Sequence, residues 1–170
     1  MLRNIRCASL GLFVLASNAW SGSFNFDASA GTALVSNESY DEGVSLDGSF
    51  AYRKSDMLYR VGVLVIDELR PSGADEGTKI KTDGIYAGLG RAIDFGSTEL
   101  ELGIGALATR SEVYILGRQI GEKDDINPYL NIKIVQELTR LFSLQGDWKY
   151  VDDLVGGDIH LVQVGVRFSF

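Results

Sequence analysis

The chain has 170 residues and is acidic, with 16 Lys and Arg against 23 Asp and Glu and a formal charge of −7. This balance argues against a nucleic-acid partner, which calls for a basic face. The single cysteine, Cys7, excludes a disulfide framework, and no segment after residue 20 is apolar for long enough to cross a bilayer as a helix.

The first residues, Met-Leu-Arg-Asn-Ile-Arg, are basic; residues 7–16 are an apolar core, and Ser17 and Ala19 supply small side chains after it. These are the three parts of a secretory signal peptide over residues 1–19, with cleavage after Ala19. A membrane anchor needs about 20 apolar residues, roughly twice what this run offers. Cys7 precedes the apolar core instead of marking the cleavage point, so a lipoprotein is not indicated. Cleavage removes Arg3, Arg6 and Cys7, leaving 14 Lys and Arg against 23 Asp and Glu, a net −9. Residues 20–170 are then one thiol-free domain.

From residue 23 onward the hydrophobic period is two, that of strands, with turn residues between runs. The first predicted strand, 23–34, sets Phe24, Phe26, Ala28 and Ala30 against Asn25, Asp27, Ser29 and Gly31. The second, 43–52, sets Val44, Leu46, Phe50 and Tyr52 against Ser45, Asp47, Ser49 and Ala51. In the third, 57–69, Tyr59, Val61, Val63 and Val65 oppose Arg60 and Gly62. The fourth, 82–92, is ambiguous: Ile85, Ala87 and Leu89 share one side, but Arg91 falls there too. The fifth, 97–108, sets Leu100, Leu102, Ile104 and Ala106 against Glu99, Glu101, Gly103 and Gly105. The sixth, 127–138, opposes Leu130, Ile132 and Ile134 to Asn131, Lys133 and Glu137. In the seventh, 142–151, Leu144, Trp148 and Tyr150 oppose Gln145, Asp147 and Lys149. The eighth, 161–170, opposes Val162, Val164, Val166, Phe168 and Phe170 to Leu161, Gln163, Gly165, Arg167 and Ser169.

Eight strands of about ten residues suit a barrel that crosses a bilayer. The connections alternate in length: 53–56, 94–96 and 139–141 are short, whereas 36–42, 71–81, 109–126 and 152–158 are longer and acidic or glycine-rich. Short periplasmic turns and long external loops are the asymmetry expected of an outer-membrane barrel. Pro71 and Pro128 stand at predicted strand ends, where a missing amide does least harm.

Alternation alone fits equally a soluble, lipocalin-like barrel with its apolar face inward. The aromatic residues separate the two. Phe24, Phe26, Phe50, Phe95, Phe142, Phe168 and Phe170 all lie near the short-turn end, joined by Tyr52 and Tyr59, with Tyr40, Trp148 and Tyr150 as a thinner belt opposite. A ring of aromatics at one rim belongs to a bilayer interface, not to a ligand pocket. The expected fold is therefore all-β, an eight-stranded antiparallel up-and-down transmembrane β-barrel with a polar, side-chain-filled lumen. Asp27, Asp47, Arg60, Glu99, Glu101, Lys133, Glu137, Asp147, Lys149 and Arg167 would pair across that lumen and close it. Inward glycines at 31, 62, 84, 88, 90, 103, 105 and 165 fit a narrow interior.

Three stretches resemble the small outer-membrane β-barrel proteins of Gram-negative bacteria, the OmpA/OmpX-like class. Asn127-Pro-Tyr-Leu-Asn131 is similar to that family's sixth-strand opening, Leu144-Gln-Gly-Asp-Trp-Lys-Tyr-Val-Asp-Asp153 to its seventh strand and last loop, and Val164-Gly-Val-Arg-Phe-Ser-Phe170 to its closing strand. The resemblance implies that Val162, Val164, Val166, Phe168 and Phe170 are the signal read by the barrel-assembly machinery. It implies no single function, since members differ widely.

His160, the only histidine, shares the outward side with Val162 near the end where lipopolysaccharide would lie. A lipid A-modifying (deacylase-like) enzyme needs a serine within its reach, and Ser111 and Ser169 are poorly placed. Asp152, Asp153 and Asp158, with Glu122, Asp124 and Asp125, match no EF-hand spacing, and no metal is expected of them. Gly88-Leu-Gly90 and Gly103-Ile-Gly105 precede no helix and are strand glycines, so no cofactor is expected. Val113-Tyr-Ile-Leu116 is an apolar patch in the third long connection, either extending the strand pair or forming a contact surface. The expectation is a non-catalytic outer-membrane protein that contacts lipid and lipopolysaccharide. Any surface ligand would bind through 36–42, 71–81, 109–126 and 152–158.

Overall fold

A computed structural model describes residues 22–36, 40–70, 77–154 and 156–170; the expected signal peptide and Pro71 lie outside them. Eight strands follow in order: β1 (Ser23–Val35), β2 (Gly43–Lys54), β3 (Met57–Leu69), β4 (Thr78–Phe95), β5 (Thr98–Ile115), β6 (Arg118–Thr139), β7 (Phe142–Leu154) and β8 (Gly157–Ser169). Each pairs antiparallel with the next, and β1 pairs with β8 to close the barrel. Closure leaves the barrel wall no free edge, the condition for a sheet that contacts lipid. The chain's last residue fastens the seam: Phe170 N–H donates to the Phe24 carbonyl at 2.8 Å, and Phe24 N–H returns the bond at 3.3 Å.

All eight expected strands are present and most are longer than their periodicity indicates, β4, β5 and β6 by the most, while β7 runs to Leu154 and β8 starts at Gly157, so most of the expected loop 152–158 is strand. β4 starts at Thr78, β5 runs to Ile115 and β6 starts at Arg118, so 109–126 is not a loop but the upper half of one long hairpin. The physical reason is solvent. Above the lipid level the outward face meets water, so Arg110, Glu112, Glu122 and Asp124 occupy it, while the inward Thr109, Ser111 and Asn127 are polar and buried. The apolar alternation stops although the backbone ladder continues. The hairpin turns through Leu116 and Gly117 at φ +49° and +75°, both positive as a type I′ turn requires.

Pro128 consequently sits inside β6, not at its end. It lies just beyond Tyr129↔Val151, the uppermost pair between β6 and β7, so β6 above it has only β5 beside it. The Asn127 amide bridges the break, donating to the Asp152 and Asp153 carbonyls at 3.0 and 3.1 Å.

Side-chain direction follows the predicted parity. Ile85 is 67% exposed and Val164 73%, while their inward neighbours are shielded, which rules out the apolar-inside soluble arrangement. The ambiguity of β4 resolves the same way: Arg91 is outward at the short-turn rim, where it holds Asp56 at 2.7 Å. Aromatic pairs ring that rim, with Phe24–Tyr52, Phe26–Phe50 and Phe142–Phe168 centroids 5.0, 5.0 and 5.6 Å apart. At the other rim, Trp148 and Tyr150 flank His160. Tyr40 does not join that belt; it packs against the interior.

The lumen has two strata. Towards the short turns it is charged. Towards the long hairpins it is apolar, filled by Leu64, Ile66, Leu69, Leu107, Leu154, Ile159 and Leu161, all essentially inaccessible. Hydrogen-bonded polar side chains interleave with this plug, Thr82 with Ser111, Thr109 with Asn127 and Gln163 with Ser45, so the interior is polar and side-chain-filled as expected, with an apolar layer within it.

Candidate functional site: the lumen and the long-hairpin end

Asp27 on β1 is the hub of the charged stratum. Arg167 grips it with Nε at 2.7 Å and Nη2 at 3.0 Å, Lys133 Nζ lies at 2.7 Å and Arg60 Nη2 at 3.4 Å. Glu101 holds Arg60 at 2.5 Å and Arg167 at 2.7 Å. Asp147 is 4.0 Å from Lys133 and accepts from Asn131 at 3.5 Å. One level up, Lys149 pairs with Asp47 at 2.5 Å and lies 4.1 Å over the Tyr86 ring, whose hydroxyl donates to Asp47 at 2.8 Å. Buried charges persist when each is paired and hydrogen-bonded, and here each has at least one opposite partner and Asp27, Glu101, Arg60, Lys133 and Arg167 have two or more.

Nine of the ten residues expected in this network join it. Glu137 does not: β6 shifts register between Glu137 and Thr139, and the side chain is left exposed at the short-turn mouth with no ion pair to any described residue. The member not anticipated is Arg53, which bonds Glu99 and holds Asp94 at 2.7 Å, while Glu99 also receives Arg167 at 2.7 Å. Arg53 brings the network's cations to five against Asp27, Asp47, Glu99, Glu101 and Asp147. Its signal was present in the parity of β2, where 45, 47, 49 and 51 face inward and 53 follows. Glycines give the tyrosines room: a Cβ at Gly88 or Gly105 would strike Tyr129, and one at Gly62 would come 2.5 Å from Tyr86.

The fold resembles solved barrels, although no family model and no curated protein matches the sequence. Neisserial surface protein A superposes with a TM-score of 0.68 at 21% identity, over 88% of this chain and 97% of that one. Ail of Yersinia pestis, solved in complex with the heparin analogue sucrose octasulfate, gives 0.64 at 10% identity, over 89% and 100%. The N-terminal barrel domain of Pseudomonas aeruginosa OprF gives 0.61 at 15% identity, over 88% and 100%. The fold is that of the small outer-membrane β-barrels. It places the aromatic rims and outward apolar wall against lipid and the charged stratum inside a transmembrane barrel.

Charge is divided unevenly along such a barrel. Segments 36–42, 66–83, 109–126 and 152–160, at the long-hairpin end, hold 15 Asp and Glu against 6 Lys and Arg. The rest of residues 20–170 holds 8 of each, so the whole net charge of −9 belongs to that end. Within the long hairpin, Arg110 holds Asp124 at 3.0 Å and Glu122 at 3.1 Å, and Asp124 pushes its guanidinium above the ordinary value. Lys123 donates to Asp125 at 2.8 Å and holds that carboxyl below its usual range.

The hairpin tip is apolar and open. Leu116 is 80% exposed, and Ile115 and Ile120 beside it are exposed as well. Along β6 the residues above Pro128 have β5 on one side and no ladder on the other. Among the described residues no cluster of three His, Cys, Asp or Glu side chains is arranged to hold a metal. The His160 ring meets Trp148 at 5.8 Å and Tyr150 at 5.3 Å, and no described serine hydroxyl bonds to it.

Proposed function

We propose that this protein is exported by a cleaved signal peptide and resides in the outer membrane as a closed, non-catalytic barrel whose long-hairpin end binds an extended, basic segment of another molecule. The observation that carries the reading is β6 above Pro128, a strand with an open edge, an apolar tip and an acidic surround. An open edge offers main-chain donors and acceptors to an added strand, and a field of net −9 favours a cationic partner. The sulfated ligand of Ail does not carry over to this chain, whose acidic long-hairpin end would repel it.

Val162, Val164, Val166, Phe168 and Phe170 act as the assembly signal in this reading, supported by the seam that Phe170 closes. Lipid and lipopolysaccharide surround the wall. The test uses the barrel in nanodiscs against an immobilised lysine-rich peptide and against heparin. Peptide binding that salt weakens, and that is lost when 115–120 is replaced by an Asn-Gly turn, is expected. Heparin capture in place of peptide capture would overturn the reading.

A further inference from the structure

The outer wall is unevenly filled. One outward row runs in register through Phe50, Val61, Ala87, Ala106 and Pro128, from β2 to β6. The methyl groups of Ala87 and Ala106 make its middle low, and an open apolar groove follows, from Tyr59 and Leu89 up to Ile85 and Ala108.

The two ends of this groove carry opposite charge. At its upper end Asp83, Asp124 and Asp125 outnumber Arg110, which Asp124 and Glu122 already hold. At its foot, on the short-turn rim, Lys54, Met57 and Arg91 stand side by side on β2, β3 and β4, all outward and exposed. Asp56 holds Arg91 at 2.7 Å through a single carboxylate oxygen, and Lys54 makes no ion pair with a described residue. Two cations against one acid leave the foot net positive. Directly above it the Tyr52 and Tyr59 rings, 6.2 Å apart, mark the interface. A lipid phosphate is therefore drawn to the foot and turned away from the top.

Length agrees with polarity. From Arg91 to Ile85 the strand climbs about 20 Å, or about 15 Å across the bilayer at a tilt of about 40°. Half of a hydrocarbon core is also about 15 Å, the depth of one leaflet. We propose that the groove seats one acyl chain of an inner-leaflet phospholipid, with its phosphate between Lys54 and Arg91 at the short-turn rim. The assignment rests on the outer-membrane reading above, because only a lipid-embedded wall meets an acyl chain. Recognition is of the phosphate and the chain, so the head beyond the phosphate carries no selectivity. Lipopolysaccharide, whose phosphates lie at the opposite face, meets the acidic end instead.

Native mass spectrometry of the barrel released from micelles holding equal amounts of phosphatidylethanolamine, phosphatidylglycerol, lipid A and a diacylglycerol of the same chains tests it. One phospholipid per barrel should be retained, each kind about five-fold over diacylglycerol, as an interfacial charge contact would give. Replacing both cations, Lys54→Gln with Arg91→Gln, should erase that margin and leave diacylglycerol retention unchanged. Ala106→Trp should lower retention of all three glycerolipids, whereas Asp83→Asn should change none. Equal retention of phospholipid and diacylglycerol, retention of only one of the two phospholipids, preferential capture of lipid A, or a margin that survives loss of both cations would overturn the proposal. Carbonate extraction of cell membranes checks the underlying reading separately, since a chain released without detergent does not span a membrane.

Discussion

Asp27 and Glu137 are both acids that alternation assigns to the lumen, and they should behave in opposite ways when neutralised. Asp27→Asn leaves Arg167, Lys133 and Arg60 around an uncharged amide, and losing one member of a buried charged set costs about 3–5 kcal/mol. Glu137→Gln, at the exposed mouth, should change stability by less than about 0.5 kcal/mol. Denaturant midpoints of the barrel in detergent check both, and equal effects would count against the network drawn here. The tip offers a third case. Leu116 holds φ +49°, a conformation Asn tolerates better than a branched apolar residue. Leu116→Asn should therefore stabilise the hairpin by about 0.5–1 kcal/mol while weakening surface binding, and a loss of stability would contradict the turn assignment. Parity located nine of the ten network members from sequence. It failed at Glu137 because a register shift is set by backbone pairing, which leaves no mark in hydrophobic period.

At the scale of elements, the strands crossing lipid were legible because lipid outside and side chains inside impose strict alternation. The upper halves of β5 and β6 were not, since water outside and polar side chains such as Thr109, Ser111 and Asn127 inside remove the apolar alternation. For the same reason the hairpin tip should be dispensable for folding: replacing 115–120 with an Asn-Gly turn should leave the heat-dependent gel mobility of the barrel unchanged. The apolar plug was also hidden. Leu64, Ile66 and Leu161 alternate with equally apolar outward residues, so period two cannot distinguish their side of the wall. The β7–β8 connection should respond to acid. The Asp158 carboxyl is held below its usual range by the Asp153 N–H and the Tyr150 hydroxyl. Its contribution is present above the ordinary carboxylate pKa, about 3.9, and is lost as pH falls through the lowered value. Amide exchange at Asp153 should quicken in that acid range.

For the whole molecule, two barriers close the lumen in series: a charged stratum with balanced partners and an apolar plug above it. Conductance in planar bilayers should stay negligible even for Lys133→Glu, because unpairing the lower stratum leaves the plug intact. A substantial current from that variant would show that charge pairing alone seals the barrel. The end bearing the entire net charge of −9 coexists with a neutral body because the lumen charges pair with one another and those at the short-turn rim, Lys54, Arg91 and Arg140 against Asp56, Asp94 and Glu137, balance.

The apolar face of the barrel points outward into lipid. Nitroxide spin labels placed singly from 162 to 167 on β8, in bilayers, test it most directly. Labels at 162, 164 and 166 should collide with oxygen dissolved in the bilayer, whereas those at 163, 165 and 167 should be shielded inside the barrel. The inverse pattern, or accessibility without a period of two, would contradict a transmembrane barrel.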